Sequence, residues 1–147
     1  MIAVIQRCVR AKVTVSETVI SKIKHGMVIL LGVDKMDIDA DADFLVNKIL
    51  SLRIFDDESA KMNLSIKDVN GAALIVSQFT LCSNTHKGRR PSFINAALPE
   101  KGNRLYKYFM LQLEDKGIRV KSGKFGAKMD VELVNDGPVT FILNSKS

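Results

Sequence analysis

The stretch MDVELVNDGPVTFIL, Met129 to Leu143, decides how the end of the chain folds. MDVELV alternates apolar and polar residues, and VTFIL is an apolar β-branched and aromatic run. Both flanks therefore read as β-strand. Asp136-Gly137 between two strands is a hairpin signal, because glycine takes up positive φ without a Cβ penalty. The expected structure is a final hairpin turning at NDGP. Pro138 complicates it by removing an N–H donor where strand pairing should resume. Two readings follow: a simple corner, or a Gly-Pro backbone that faces a ligand.

Upstream, residues 2–9, 12–15 and 18–23 are short β-branched segments and predict an antiparallel meander. His25-Gly26 reads as a turn, with His25 solvated. MVILLGV, Met27 to Val33, reads as a strand buried on both faces. A helix is expected next, with Asp37 and Asp39 at its start and Phe44, Leu45, Lys48, Ile49 and Leu52 near one face. The acidic group Asp34, Asp37, Asp39, Asp41 and Asp43 reads as capping and solubility, since its spacing is not that of a calcium loop. RIFDDESAKMNLSIKDVNG reads as a long surface connection, and AALIVSQFTL, Ala72 to Leu81, as a second buried strand. A basic loop, CSNTHKGRRPSF, follows. A second helix is predicted from Pro99 to Lys116-Gly117, with Leu105, Tyr108, Phe109 and Leu113 facing inward. IRV, a Gly-rich loop SGKFGAKM and the hairpin complete the chain. The pattern predicts one α/β domain over residues 1–147, mixed, with two β-sheet layers and helices packed on one side.

The 147 residues are 46% hydrophobic and 26% charged, an ordinary globular balance. A net charge of +6 is compatible with a polyanionic partner, and equally with solubility alone. Cys8 and Cys82 lack CxxC spacing and read as free buried thiols in a reducing cytosol. No apolar run is long enough for a membrane helix. The expected location is the cytoplasm, with no membrane partner.

GxSxG, HExxH, GxxxxGK[ST] and GxGxxG are absent from the chain. His86 sits beside Lys87, Arg89 and Arg90, where a phosphate-facing loop explains it as well as a general base does. SQFTL, Ser77 to Leu81, interrupts an apolar strand with Ser77 and Gln78. That fits a strand leaving the core, or a strand end presenting Ser, Gln, Thr and backbone N–H groups to a pocket.

SQFTL and NDGPVT together resemble the two signature motifs of the D-aminoacyl-tRNA deacylases, of the bacterial D-tyrosyl-tRNA deacylase type. MIAVIQRCVRAKVTV, RIFDDESAKMNLS, RRPSF and GKFGAKM resemble that family in order and spacing, so the likeness covers the whole chain. The resemblance implies a homodimeric carboxylic ester hydrolase that cleaves D-aminoacyl-tRNA, and glycyl-tRNA mischarged on tRNA-Ala, while rejecting L-aminoacyl-tRNA. It implies that Ser77, Gln78, Phe79 and Thr80 form the catalytic wall. It implies a cis Gly137–Pro138 corner that enters the other subunit's site as a chiral filter, held by Arg7. Phe125 and Met129 are then expected near the terminal adenosine. Lys87, Arg89 and Arg90 are expected on acceptor-end phosphates. No metal or other cofactor is implied, and no DNA partner is expected. Two other readings stand beside this one: a non-catalytic nucleic-acid binder on the same fold, and a hydrolase of small free esters.

Overall fold

The computed structural model describes residues 1–146. Its strands are β1 (Ile2–Val15), β2 (Thr18–Ile23), β3 (Gly26–Gly32), β4 (Phe55–Asp56), β5 (Met62–Leu64), β6 (Ala72–Ser77), β7 (Arg119–Ser122) and β8 (Asp130–Asn144). Helix α1 spans Asp39–Ser51 and α2 spans Pro99–Asp115.

The expected final hairpin does not form. Both flanks of NDGP lie in one long strand, β8, which pairs antiparallel with β1 from Ile2↔Asn144 to Thr14↔Asp130. Asn135 pairs with Cys8 and Thr140 with Gln6, so the four residues 136–139 stand against Arg7 alone. The Asp-Gly-Pro signal thus marks a large bulge within a strand. The alternating pattern was right on both sides; what it lacked was the partner, since β1 is long enough to pair with both. Likewise the segments read as two strands, 2–9 and 12–15, fuse into β1. It pairs with β3 through its first half and with β2 through its second.

One mixed sheet results, in the order β2-β1-β3-β6-β7, with β8 on the other edge of β1. The β3–β6 and β6–β7 pairs are parallel and the others antiparallel. Parallel neighbours need a crossover. The two crossovers carry α1 and α2, and both helices cover the same face. The sheet curls until β2 approaches β6 and β7, giving a nearly closed barrel. The two expected sheet layers are therefore one curled sheet, with a small β4–β5 ribbon apart from it.

Strand alternation sorts the apolar runs into two cores. Met27, Ile29 and Leu31 of β3 and Ala73 and Ile75 of β6 face the helices, where they meet Leu45, Ile49, Leu105 and Phe109. Val28, Ala72, Leu74 and Val76 face the barrel interior with Cys8, Ala11 and Val13. Gly26 is required where β3 meets β6, because a Cβ there would lie 1.8 Å from the Ala72 carbonyl oxygen.

Helix α2 starts at the predicted proline and stops at Lys116, with Gly117 at φ +91° beyond it. Tyr106, not Tyr108, is the buried tyrosine; the Tyr108 hydroxyl donates to Asp43 at 2.8 Å. In α1, Ala42 and Val46 are buried in place of the exposed Phe44. The expected surface connection also buries Ile54, Phe55 and Ile66.

The acidic group does more than cap and solubilise. Asp37 is wholly buried and pairs with the Met1 α-ammonium at 2.7 Å. The Asp41 carboxylate accepts from the Ile38 N–H at 2.9 Å and from Ser145 Oγ at 2.7 Å. Asp39 pairs with Arg104 at 2.8 Å. Among the described residues no group of three or more His, Cys, Asp or Glu converges as a metal site would.

Candidate active site

The expected strand Ala72 to Leu81 ends at Ser77. The Gln78 N–H donates to the Leu31 carbonyl at 2.8 Å, and Phe79–Cys82 then winds into a 3₁₀ turn. The turn packs against Gly32, where a Cβ would come within 2.9 Å of Leu81 Cβ. That close approach ends the ladder and swings the chain outward. A 3₁₀ turn leaves its first N–H groups without internal acceptors. Among the described residues, the backbone N–H groups of Phe79 and Thr80 have no hydrogen-bond partner. The Gln78 side-chain amide donates to the Thr80 hydroxyl.

Ser77, Gln78 and Phe79 line a cavity of about 610 Å³. Phe125 and Met129 line it too, from the loop between β7 and β8. Phe125 is seated by two neighbours. Gly102 of α2 leaves room for its ring, which a Cβ would approach to 3.4 Å. Tyr106 lies beside it, with ring centroids 5.9 Å apart. Tyr106 is fixed in turn by donating its hydroxyl proton to the Ile75 carbonyl at 2.8 Å. Burial pushes the Tyr106 phenol up to about 12, so it stays neutral.

The structure also places in this cavity residues that the sequence did not single out. Phe93 stacks edge-on with Phe79 at 5.0 Å, and Ala96, Ala97, Leu98 and Pro99 close one side. RRPSF marked the loop that carries Phe93; the alanines carry no local signal.

Thr80, next in the chain, lies outside the cavity lining, as do Lys87, Arg89 and Arg90. Those three cations are exposed on a loop whose ends are tied by the Asn84–Ser92 bridge.

Gly137 and Pro138 also lie outside this cavity. They sit at the bulge in β8, exposed, with a cis peptide bond between them. Arg7, buried, reaches the bulge from β1. Its Nε donates to the Asp136 carbonyl at 2.9 Å, and a terminal nitrogen donates to the Ile54 carbonyl at 2.7 Å and to Asp56 at 3.2 Å. Asn135 closes the base of the bulge: its side-chain oxygen accepts from the Val139 N–H at 2.7 Å. His25 is not merely a solvated turn residue. It packs edge-on against Phe55 at 5.2 Å and stands 4.0 Å from the Asp136 carboxylate.

Cys82 follows the SQFTL stretch, but its thiol is buried. Burial first, then the carboxylates of Asp34 and Asp37, push it up to about 11. It is a poor nucleophile at neutral pH.

The profile of the family described as D-Tyr-tRNA(Tyr) deacylase matches residues 4–144. The chain belongs to the D-aminoacyl-tRNA deacylase family. It is 54% identical over 147 residues to the D-aminoacyl-tRNA deacylase of Thermosipho melanesiensis, covering 99% of this chain and 98% of that one. It is 53% identical over 145 residues to that of Clostridioides difficile, covering 99% and 97%. A solved structure titled c-Myc DNA Unwinding Element Binding Protein superposes with a TM-score of 0.94 at 43% identity, over all of both chains. Another, titled as a probable eukaryotic D-amino acid tRNA deacylase, superposes at 0.82 with 19% identity, covering 97% and 98%, and shows the shared fold. As a D-aminoacyl-tRNA deacylase the chain is an enzyme, a hydrolase. Among the described residues, no helix is long and apolar enough to cross a membrane.

Proposed function

We propose that this deacylase hydrolyses the ester of D-aminoacyl-tRNA in the cavity walled by Ser77, Gln78 and Phe79. The observation that carries the site is the pair of adjacent, unpartnered N–H groups on Phe79 and Thr80 beside an apolar cavity. Water adds to the ester carbonyl, and the negative charge on its oxygen is met by these two donors. The tetrahedral intermediate then expels the ribose oxygen, giving free D-amino acid and tRNA. One such donor is worth about 3–4 kcal/mol. Backbone donors suit the task, because they are held by the fold and need no reorganisation. Phe125 and Met129 offer an apolar platform for the terminal adenosine, whose vicinal hydroxyl helps place the water. Lys87, Arg89 and Arg90 meet acceptor-end phosphates. The whole chain acts as one catalytic domain and needs no metal or organic cofactor.

Gly137 and Pro138 act across a homodimer, entering the neighbour's cavity. Their exposure, and their absence from their own chain's cavity, support this. So does an exposed apolar set: Ile94 (73%), Leu98 (78%) and Ile142 (74%) are large side chains left in solvent by a single chain. In that arrangement the corner's backbone meets the substrate α-carbon and leaves room for a D side chain but none for an L side chain. Rejection by a rigid wall leaves the D side chain ungripped, so one site serves many D-amino acids. A substrate of this kind places the protein in the cytoplasm.

Single-turnover hydrolysis of D-alanyl-, glycyl- and L-alanyl-tRNA tests the reading. Hydrolysis of the first two with sparing of the third is expected. Sparing of glycine along with L-alanine would mean selection by a grip on the side chain, and would remove the filter role from Gly137 and Pro138. No hydrolysis of any D-aminoacyl-tRNA would remove the site.

A further inference from the structure

A second cavity, of about 920 Å³, shares no lining residue with the first. Its floor includes the buried Ala11, Ile23 and Ala72. Around that floor stand Arg10, Lys12, Lys22, Lys24, Arg119 and Lys121, with Glu132 as the only carboxylate. Six cations less one carboxylate leave five positive charges, nearly the whole net charge of +6 that the chain carries.

These cations are brought together by β1, β7 and the end of β2, and they remain largely unneutralised. Lys12 pairs with Glu132 at 3.4 Å. Among the described residues, Arg10, Lys22, Lys24, Arg119 and Lys121 form no ion pair. Lys12 and Lys22 are direct cross-strand partners in the β1–β2 ladder. Like charges at that position oppose strand pairing. A scattered solvated surface would not concentrate charge in a concavity at the expense of its own ladder. A concave site with low-dielectric walls focuses the positive field on whatever enters it.

We propose that this basic cavity is a docking surface for the phosphodiester backbone of the tRNA body, separate from the loop at Lys87, Arg89 and Arg90. The proposal rests on the deacylase reading for the identity of the RNA. A polyanion with regularly spaced phosphates matches several separate ammonium and guanidinium groups over an apolar floor. The cavity gives affinity and orientation to the body of the substrate, and the chemistry stays in the other cavity.

The test replaces Lys22, Lys24, Arg119 and Lys121 together by Ala and compares two substrates. With full-length D-aminoacyl-tRNA, KM should rise about tenfold or more with kcat unchanged. The log–log salt slope of binding should fall by about 0.7–0.9 for each phosphate that is no longer neutralised. Hydrolysis of D-aminoacyl-adenosine, which has no tRNA body, should be unchanged. The same four positions filled as Lys22→Arg, Lys24→Arg, Arg119→Lys and Lys121→Arg should restore KM and the slope. Binding of uncharged tRNA by wild type and variant, measured without catalysis, separates this proposal from the deacylase reading. Retained tRNA binding with an unaltered salt slope in the alanine variant overturns it. An equal loss on both substrates, or no rescue by the charge-preserving variant, also overturns it, because the residues would then be supporting the barrel.

Discussion

Arg7 and Asp136 meet across the gap in the β1–β8 ladder, the Arg7 Nε donating to the Asp136 carbonyl at 2.9 Å and standing 3.4 Å from its carboxylate. The backbone hydrogen bond ties the bulge to β1. Arg7→Ala leaves the Ile54 and Asp136 carbonyls without this donor, which costs about 1–3 kcal/mol for a buried group. Urea denaturation should show that loss, and discrimination between D- and L-alanyl-tRNA should fall with it. Asp136→Asn keeps the backbone carbonyl and loses only the charge of a half-exposed carboxylate beside Arg7 and His25, so its stability should stay within about 1 kcal/mol of wild type.

Thr80→Ala should retain measurable deacylation. The Thr80 hydroxyl receives the Gln78 amide proton, and no base lies within hydrogen-bond reach of it among the described residues. A hydroxyl without an adjacent base is a weak nucleophile. Rapid quench of the wild type should trap no acyl-enzyme. Complete loss in Thr80→Ala, together with a trapped acyl group, would assign the attack to the hydroxyl.

Replacing Lys87, Arg89 and Arg90 by Ala should weaken tRNA binding and flatten its salt dependence, with the preference for D over L intact. Filter binding across a salt series measures the first effect. The ratio of D- to L-alanyl-tRNA turnover measures the second.

Neither thiol should react with a disulfide reagent at pH 8 in the native protein, and both should react in denaturant. Cys8 is buried, and burial, followed by the nearby Asp136 carboxylate, pushes it up to about 11, as burial does Cys82. Cys82→Ala should keep the wild-type single-turnover rate.

Asp41 should make part of the stability acid-labile. Burial opposes its ionisation, but hydrogen bonds from the Ile38 N–H, Ser145 and Lys146 outweigh it and hold the carboxyl below its usual 3.8. The unfolded chain therefore takes up the proton first. The contribution is complete above about 3.8 and is lost as pH falls through the folded-state value. Urea midpoints of wild type and Asp41→Asn should differ by a constant amount near neutrality and converge in acid.

Much of the fold is legible because its signals are local. Apolar runs gave β3 and β6, and a proline and a glycine gave the ends of α2. The errors fall where the partner decides. Alternation on either side of NDGP specified two strand segments, but only the length of β1 makes them one strand. The same limit hid the curl of the sheet, since closure depends on β2 reaching β6 and β7. At the site, SQFTL and GKFGAKM named Ser77, Gln78, Phe79, Phe125 and Met129, and the structure gathers these around one cavity. Ala96 and Ala97 were invisible, because they join the cavity through shape alone. The basic cavity was also out of reach: Arg119 and Lys121 lie about a hundred residues from the other cations and reach them only when the sheet curls.

Strand β8 begins beside the cavity lined by Ser77, Gln78 and Phe79, where Met129 and Val131 form part of the wall, and continues to the bulge at 136–139. In the proposed dimer each strand therefore serves two masters, its own chamber and its neighbour's gate. A chain crippled only at the chamber still offers a sound gate, and a chain crippled only at the gate still offers a sound chamber. Mixed together, a protein that cannot hydrolyse and a protein that no longer discriminates would assemble one active and selective centre per mixed pair, so complementation between defective alleles would follow from the connectivity of a single strand.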